Sequence, residues 1–265
     1  MPYIIPELDN VVKQYNVFVE NDDIDNDLIR LSSPVKVEDG KSLFTNKYYE
    51  LEDGNNELGF ILWDLFGASN SLLSYVDPYK DKNYHSFVDL LQNENEILYS
   101  NYQDFQKPYI NRLIKNSIIT TDTKGALHIY DEKRIDVLKE LWEFGVCSYW
   151  HYDEPEQQYL DELCAKGWLT KDDHLLSKAE RDYFSYYLDN SKFTNGPALR
   201  NHYAHGSNPP ADDENTHMEV YLVFLRLLAI IILKIRDDLW LARKALVLNT
   251  IKRIKASNDN KCNNV

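Results

Sequence analysis

The run VYLVFLRLLAIIILKI at residues 220–235 constrains the fold more than any other part of this chain, because its sixteen residues carry only Arg226 and Lys234 as charges. It falls short of the roughly 20 apolar residues that a membrane span needs. A helix this apolar must hide against other helices, so the run is expected to be a buried element of a helical bundle. The rest of the chain can supply that cover. At 265 residues with 43% hydrophobic side chains, nine Gly and nine Pro, it has room for one large or two modest domains and is neither disordered nor of low complexity.

Charge narrows the function classes. A formal net charge of −14 argues against coating nucleic acid by bulk electrostatics, so any nucleic-acid contact must be local. Residues 1–105 are net −13, whereas residues 241–265 are net +5, which reads as a solvated helix end whose cations complement its C-terminal dipole. Cys147, Cys164 and Cys262 are too few and too scattered for a disulfide framework, which fits a reducing cytosol. The opening MPYIIPELDNVVKQ lacks the basic and apolar regions of a signal peptide, so a cytoplasmic, non-membrane protein is expected.

Changes of pattern divide the chain into an acidic, mixed and partly helical region at 1–105, a hairpin and winged-helix-like segment at 106–176, a helical bundle at 177–257 and a tail at 258–265. In the first region a helix is expected from about Phe87 to Tyr99, and Asn21-x-Asp23-x-Asp25-x-Asp27 reads as a solvated acidic turn, since a calcium loop needs Gly at its sixth position and Glu at its twelfth. SIITTDTKGALHIYD predicts a hairpin about Lys124-Gly125. Ile135, Leu138, Leu141 and Trp142 recur at helical spacing, and a short strand, a second helix near 156–165 and WLTKDDHLLS as a two-stranded wing follow in the order of a winged helix. Glu156, Asp161 and Glu162 would repel DNA phosphates, so the segment reads as a structural or protein-binding module. Cys147, His151, Cys164 and His174 match no zinc-finger spacing and read as core or surface residues, and His202, His205 and His217 lack a metalloprotease pattern.

Ser177-Lys-Ala-Glu180 is a capping box that should start a helix with Tyr183, Phe184, Tyr187 and Leu188 on one face. After the turn Asn195-Gly196-Pro197 a short helix carries ALRNHYAH and stops at Gly206. The long apolar helix follows, beginning at the acids 212–214 and reaching Ile254 with a break at Asp237-Asp238.

Within the short helix, Leu199-Arg200-Asn201-His202-Tyr203-Ala204-His205-Gly206 concentrates an arginine and two of the seven histidines. The Arg-to-His spacing alone is common. Asn directly after Arg, the longer L-R-N-x-x-A-H-G string and the apolar helix that follows make residues 177–257 resemble HEPN (higher eukaryotes and prokaryotes nucleotide-binding) domains, with Arg200, Asn201 and His205 on the family's motif. The resemblance implies a mainly α fold, a four-helix bundle completed by helices upstream of residue 177, and metal-independent RNA cleavage without a cofactor. In that chemistry the ribose 2′-OH attacks the adjacent phosphate, leaving a cyclic phosphate and a 5′-OH.

The residue types suit such a reaction. An imidazole titrates near neutrality, so His205 can act as base or acid, and the planar guanidinium of Arg200 fits phosphorane oxygens. Asn201, one turn before His205, could hold the imidazole tautomer, while Arg200 lies about 140° round the helix from His205. One imidazole cannot be base and acid at once, so His202 or a second His205 across a homodimer interface is needed. The expected role is an endoribonuclease, a microbial toxin or antiviral defence effector, with an RNA substrate and an antitoxin or regulatory partner. The alternative is a non-catalytic dimerisation, nucleotide- or partner-binding module in which Arg200 pairs with an acid of a neighbouring helix.

Overall fold

The computed structural model describes residues 4–54, 56–67, 72–204 and 214–262. Among the described residues the protein is mainly helical, 59% helix in ten α-helices, with a small antiparallel sheet. In chain order the elements are α1 (Ile4–Asn21), α2 (Asn26–Leu31), β1 (Tyr48–Leu51), α3 (Asn56–Phe66), α4 (Phe87–Asn93), α5 (Lys107–Lys115), β2 (Ile119–Thr121) and β3 (Leu127–Ile129). There follow α6 (Glu132–Phe144), β4 (Val146–Ser148), α7 (Glu154–Ala165), β5 (Leu169–Asp172), α8 (Lys178–Leu188), α9 (Leu199–Ala204) and α10 (Glu214–Cys262). They gather into two units, one made of residues 1–47 and 172–265, the other of residues 48–171. These boundaries differ from the expected divisions at 105/106 and 176/177. Composition along the chain cannot reveal that α1 and Val37 pack with α8, α9 and α10, since that depends on long-range contacts.

In the first unit, α1, α8, α9 and α10 share one core. Leu8 and Val12 of α1 meet Phe184 and Leu188 of α8, Leu199 of α9, and Phe224, Leu227 and Ile231 of α10. The predicted capping box starts α8, with the Ser177 N–H donating to Glu180 Oε2 (2.9 Å) and the Glu180 N–H to Ser177 Oγ (3.4 Å). Both cations of the apolar run in α10 are met by α8. Lys234 Nζ lies 2.6 Å from Glu180 Oε1, and Arg226 stacks over the Tyr183 and Tyr187 rings at 5.6 and 5.7 Å.

The expected break at Asp237-Asp238 does not occur, for α10 continues to Cys262. Asp238 is instead fully buried against Lys47, which is equally buried. Its Oδ2 also accepts from Tyr15 Oη (2.8 Å), Ser42 Oγ (2.7 Å) and the Leu43 N–H (2.9 Å), while Lys47 Nζ donates to the Leu175 carbonyl (3.2 Å). A carboxylate with four donors has no need of water, and the helix runs on past it. Burial and the Asp238 charge push the Tyr15 hydroxyl well above the usual phenol range.

In the second unit, α3 to α7 and the strands enclose a separate core that includes Leu62, Leu90, Ile110, Leu138 and Leu160. The predicted hairpin is present as β2 paired antiparallel with β3, Ile119 opposite Ile129, and Asp122 Oδ1 closes its turn onto the N–H groups of Lys124 and Ala126. Helix α6 is capped by Asp131 and stopped by Gly145 in the left-handed region (φ 72°). Its core face is Ile135, Val137, Leu138 and Leu141; Trp142 is 38% exposed and rests edge-on against Trp63 at 5.9 Å. Helices α5 and α7 end alike, on left-handed Ser117 and Gly167, with Ile118 N–H reaching the Leu113 carbonyl and Trp168 N–H the Leu163 carbonyl.

Two expectations are corrected here, while the acidic turn over 21–27 is exposed as expected. Helix α4 ends at Asn93 and not near Tyr99, because the chain turns extended at Glu94. WLTKDDHLLS supplies one strand, β5, and no two-stranded wing: β4 and β5 flank β1 in a sheet of order β4-β1-β5, so the partner comes from residues far earlier in the chain. Asp25 serves as the N-cap of α2, its Oδ1 accepting from the Asp27 and Leu28 N–H groups.

The buried pair sets a prediction. Asp238→Ala should lower the unfolding free energy by about 3–5 kcal/mol, because it strands the Lys47 ammonium, whereas Lys47→Met combined with Asp238→Leu should cost much less. Urea denaturation of the three proteins measures the difference.

Candidate functional site

The motif helix α9 is positioned by its surroundings more than by its own six residues, too few to be stable alone. Gly196 of the preceding turn is required, since a Cβ there would lie 2.1 Å from the Tyr186 carbonyl oxygen. Ala198 is buried with φ 44°, and the helix begins only at Leu199, two residues after Pro197. Leu199 enters the core, which turns Arg200 toward α1 and the end of α8 and leaves Asn201 exposed. The side chain of His202 and all of His205 lie outside the described residues, as do the acids 212 and 213 and Gly206.

Arg200 is 15% exposed and surrounded by three carboxylates. Nη2 donates to Asp9 Oδ1 of α1 at 2.8 Å and lies 3.7 Å from Glu38 Oε2, and Nη1 reaches Asp189 Oδ2 at 3.4 Å. Asp189 is itself well supplied, accepting from Ser185 Oγ, the Ser191 N–H and Ser191 Oγ, with Lys36 Nζ at 3.6 Å. Glu38 is not. Among the described residues neither of its buried carboxylate oxygens meets a donor from another residue, and the buried Arg200 Nε meets no acceptor.

The electrostatics follow from this imbalance. Burial raises the Glu38 carboxyl above its ordinary range, with Arg200 acting in the opposite sense, and burial likewise raises Asp9 despite its bond to Arg200. Asp189 is also penalised by burial, but its hydrogen bonds from Ser191 and Ser185 leave it below the usual value.

Glu38 and Asp189 lie on a cleft of about 350 Å³ in the same unit. Its cations are engaged: Arg181 holds Asp172 with two nitrogens (3.0 and 2.5 Å) and the Leu176 carbonyl, Lys192 holds Asp182, and Lys36 holds Asp189. His174 Nδ1 rests 2.7 Å from Asp172 Oδ1. In this arrangement Arg200 clasps carboxylates, and a phosphate would have to displace Asp9 or Asp189 to reach it.

Of the four residues expected to carry chemistry, the structure thus describes the surroundings of Arg200 and the exposure of Asn201. Sequence reasoning missed Asp9, Glu38 and Asp189, since no local pattern links acids up to 191 positions from an arginine. The cysteine and histidine candidates for a metal do not gather: among the described residues no group of three or more His, Cys, Asp or Glu side chains could hold an ion. Cys147 points its thiol at the Val137 carbonyl (3.7 Å) in the core, and burial pushes it up to about 12.

The linkage has a definite sign. Asp9 and Glu38, raised in the folded protein, stabilise it fully only below their ordinary values, and that contribution is lost as pH rises through the raised ones. Removing Arg200 raises both further. Arg200→Ala should therefore destabilise the protein by about 3 kcal/mol near pH 7 and by clearly less near pH 5, as read by denaturant melts at the two values.

No family model, no curated protein and no solved structure matches this chain.

Proposed function

We propose that this chain is a metal-independent RNA endonuclease of HEPN type that works as a homodimer. The observation that carries this reading is the Arg200-Asn201-x-x-x-His205 string, which opens on a helix anchored by Leu199, with Asn201 exposed, between the core helices α8 and α10. The sharing of one core by α1, α8, α9 and α10 supports this reading, which expects a helical bundle completed from upstream of residue 177. In the reaction, one imidazole takes the 2′-OH proton as that oxygen bonds to phosphorus. The bond to the 5′-oxygen breaks, and a second imidazole supplies its proton. Arg200 stabilises the dianionic phosphorane. His205 supplies the first imidazole, and His202 or His205 of the second copy supplies the other.

The carboxylates around Arg200 give the enzyme a resting state. Asp9 and Glu38 come from the acidic N-terminal region, so a partner or substrate that draws them away frees the guanidinium. Such a restraint suits a toxin or antiviral effector kept in check by an antitoxin or regulatory protein. The same ion pairs favour a second reading, a non-catalytic dimerisation, nucleotide- or partner-binding module in which Arg200 only braces α9 against α1.

Incubation of total cellular RNA with the purified protein, in EDTA, separates the two. The first reading expects cyclic-phosphate ends from the unmodified protein, none from Arg200→Ala or His205→Ala, and an unchanged thermal transition for His205→Ala. Absence of cleavage by folded, dimeric protein, including an Asp9→Ala form that lacks one of the three carboxylates on Arg200, would leave the binding module.

A further inference from the structure

Helix α10 is apolar on two faces, and the core of its unit covers one of them. Phe224, Leu227, Ile231, Asp238 and Leu241 form the buried stripe. A second stripe recurs in steps of four and three: Met218, Leu225, Ile232, Leu239 and Leu246 stand at every seventh residue, with Leu222, Ala229, Arg236 and Arg243 between them. All nine are exposed, Met218 at 57%, Ile232 at 52% and Leu246 at 69%. Leu233, Trp240 and Val247, exposed beside the stripe, widen it. A heptad seam over 28 residues extends roughly 42 Å. A helix with such a seam facing water is incomplete, because the burial of only one face leaves the other as a contiguous apolar patch.

We propose that this seam is the dimer interface, with α10 of one copy packed antiparallel on α10 of a second copy about a two-fold axis at Ile232. Charge selects both the occupant and the direction. A parallel pair would set Arg236 against Arg236 and Arg243 against Arg243. The antiparallel pair separates these like charges, sets Leu225 against Leu239 and Met218 against Leu246, and gives Arg236 the small Ala229 as its neighbour. It also brings Glu219, near the start of α10, toward Arg243 and Lys244 of the other copy, and it opposes the helix dipoles. The seam rests on the dimeric state of the preceding reading and not on its chemistry.

Sedimentation equilibrium of the full chain over a concentration series tests it. The unmodified protein should sediment at twice the chain mass, and Leu225→Glu with Leu239→Glu should reduce that to the mass of one chain. The thermal transition should persist, since neither side chain belongs to the core stripe. In a Cys262→Ser background, oxidation of a mixture of Leu225→Cys and Leu239→Cys proteins should yield disulfide-linked pairs that neither variant forms alone. A monomeric unmodified protein overturns the dimer and the seam together. A dimeric double-Glu variant, or cross-linking of Leu225→Cys with itself, overturns the seam while leaving the dimer, and neither result bears on RNA cleavage.

Discussion

The Lys47–Asp238 pair is the interaction on which the first unit depends. A fully buried ion pair is tolerable only when every remaining donor and acceptor is met, and here Tyr15, Ser42, the Leu43 N–H and the Leu175 carbonyl meet them. Those groups come from α1, from the segment before β1, from the stretch before α8 and from the middle of α10. Each is held where hydrophobic packing alone would allow sliding, because a shift of one residue would strand a charge in the core. The pair therefore contributes register more than net stability, and it ties residues 1–47 to the C-terminal helices.

That tie is also what builds the surroundings of Arg200. With α1 fixed against α10, Asp9 faces α9; with residues 37–47 fixed, Glu38 does so too. The cluster carries more acid than base, and the excess is concentrated on Glu38, whose oxygens meet no donor from another described residue. A buried carboxylate left in that condition is an energetic cost that a purely structural bracket would have reason to avoid. Its position on a cleft beside the motif helix is what connects the packing of the unit to the proposed chemistry.

Helix α10 joins these themes. Its buried stripe is matched by α1 and α8, down to the two cations of its apolar run, Lys234 on the capping carboxylate of α8 and Arg226 on the tyrosine face. Its outer stripe keeps the regularity of a heptad and is exposed. One sequence thus encodes two different faces on one helix, a period-seven seam superposed on the contacts of the core.

Local chemistry was enough for the sequence to determine several elements. The capping box of α8 and the Lys124-Gly125 turn of the hairpin are each settled within a few residues, and both were legible, as was the helical spacing of Ile135, Leu138 and Leu141 in α6. So was the helix over residues 220–235, but the expected burial holds for one face only: Phe224, Leu227 and Ile231 enter the core, while Leu222, Leu225, Ile232 and Leu233 are exposed. What only the tertiary structure decided are the pairings of distant groups: β1 between β4 and β5 in place of a wing, Asp238 as a buried ion-pair partner in place of a helix break, and Asp9, Glu38 and Asp189 around Arg200. Acids such as Asp9 and Asp238 look like any solvated residue in the sequence. Their meaning comes from what lies opposite them, and that is set by how the helices pack.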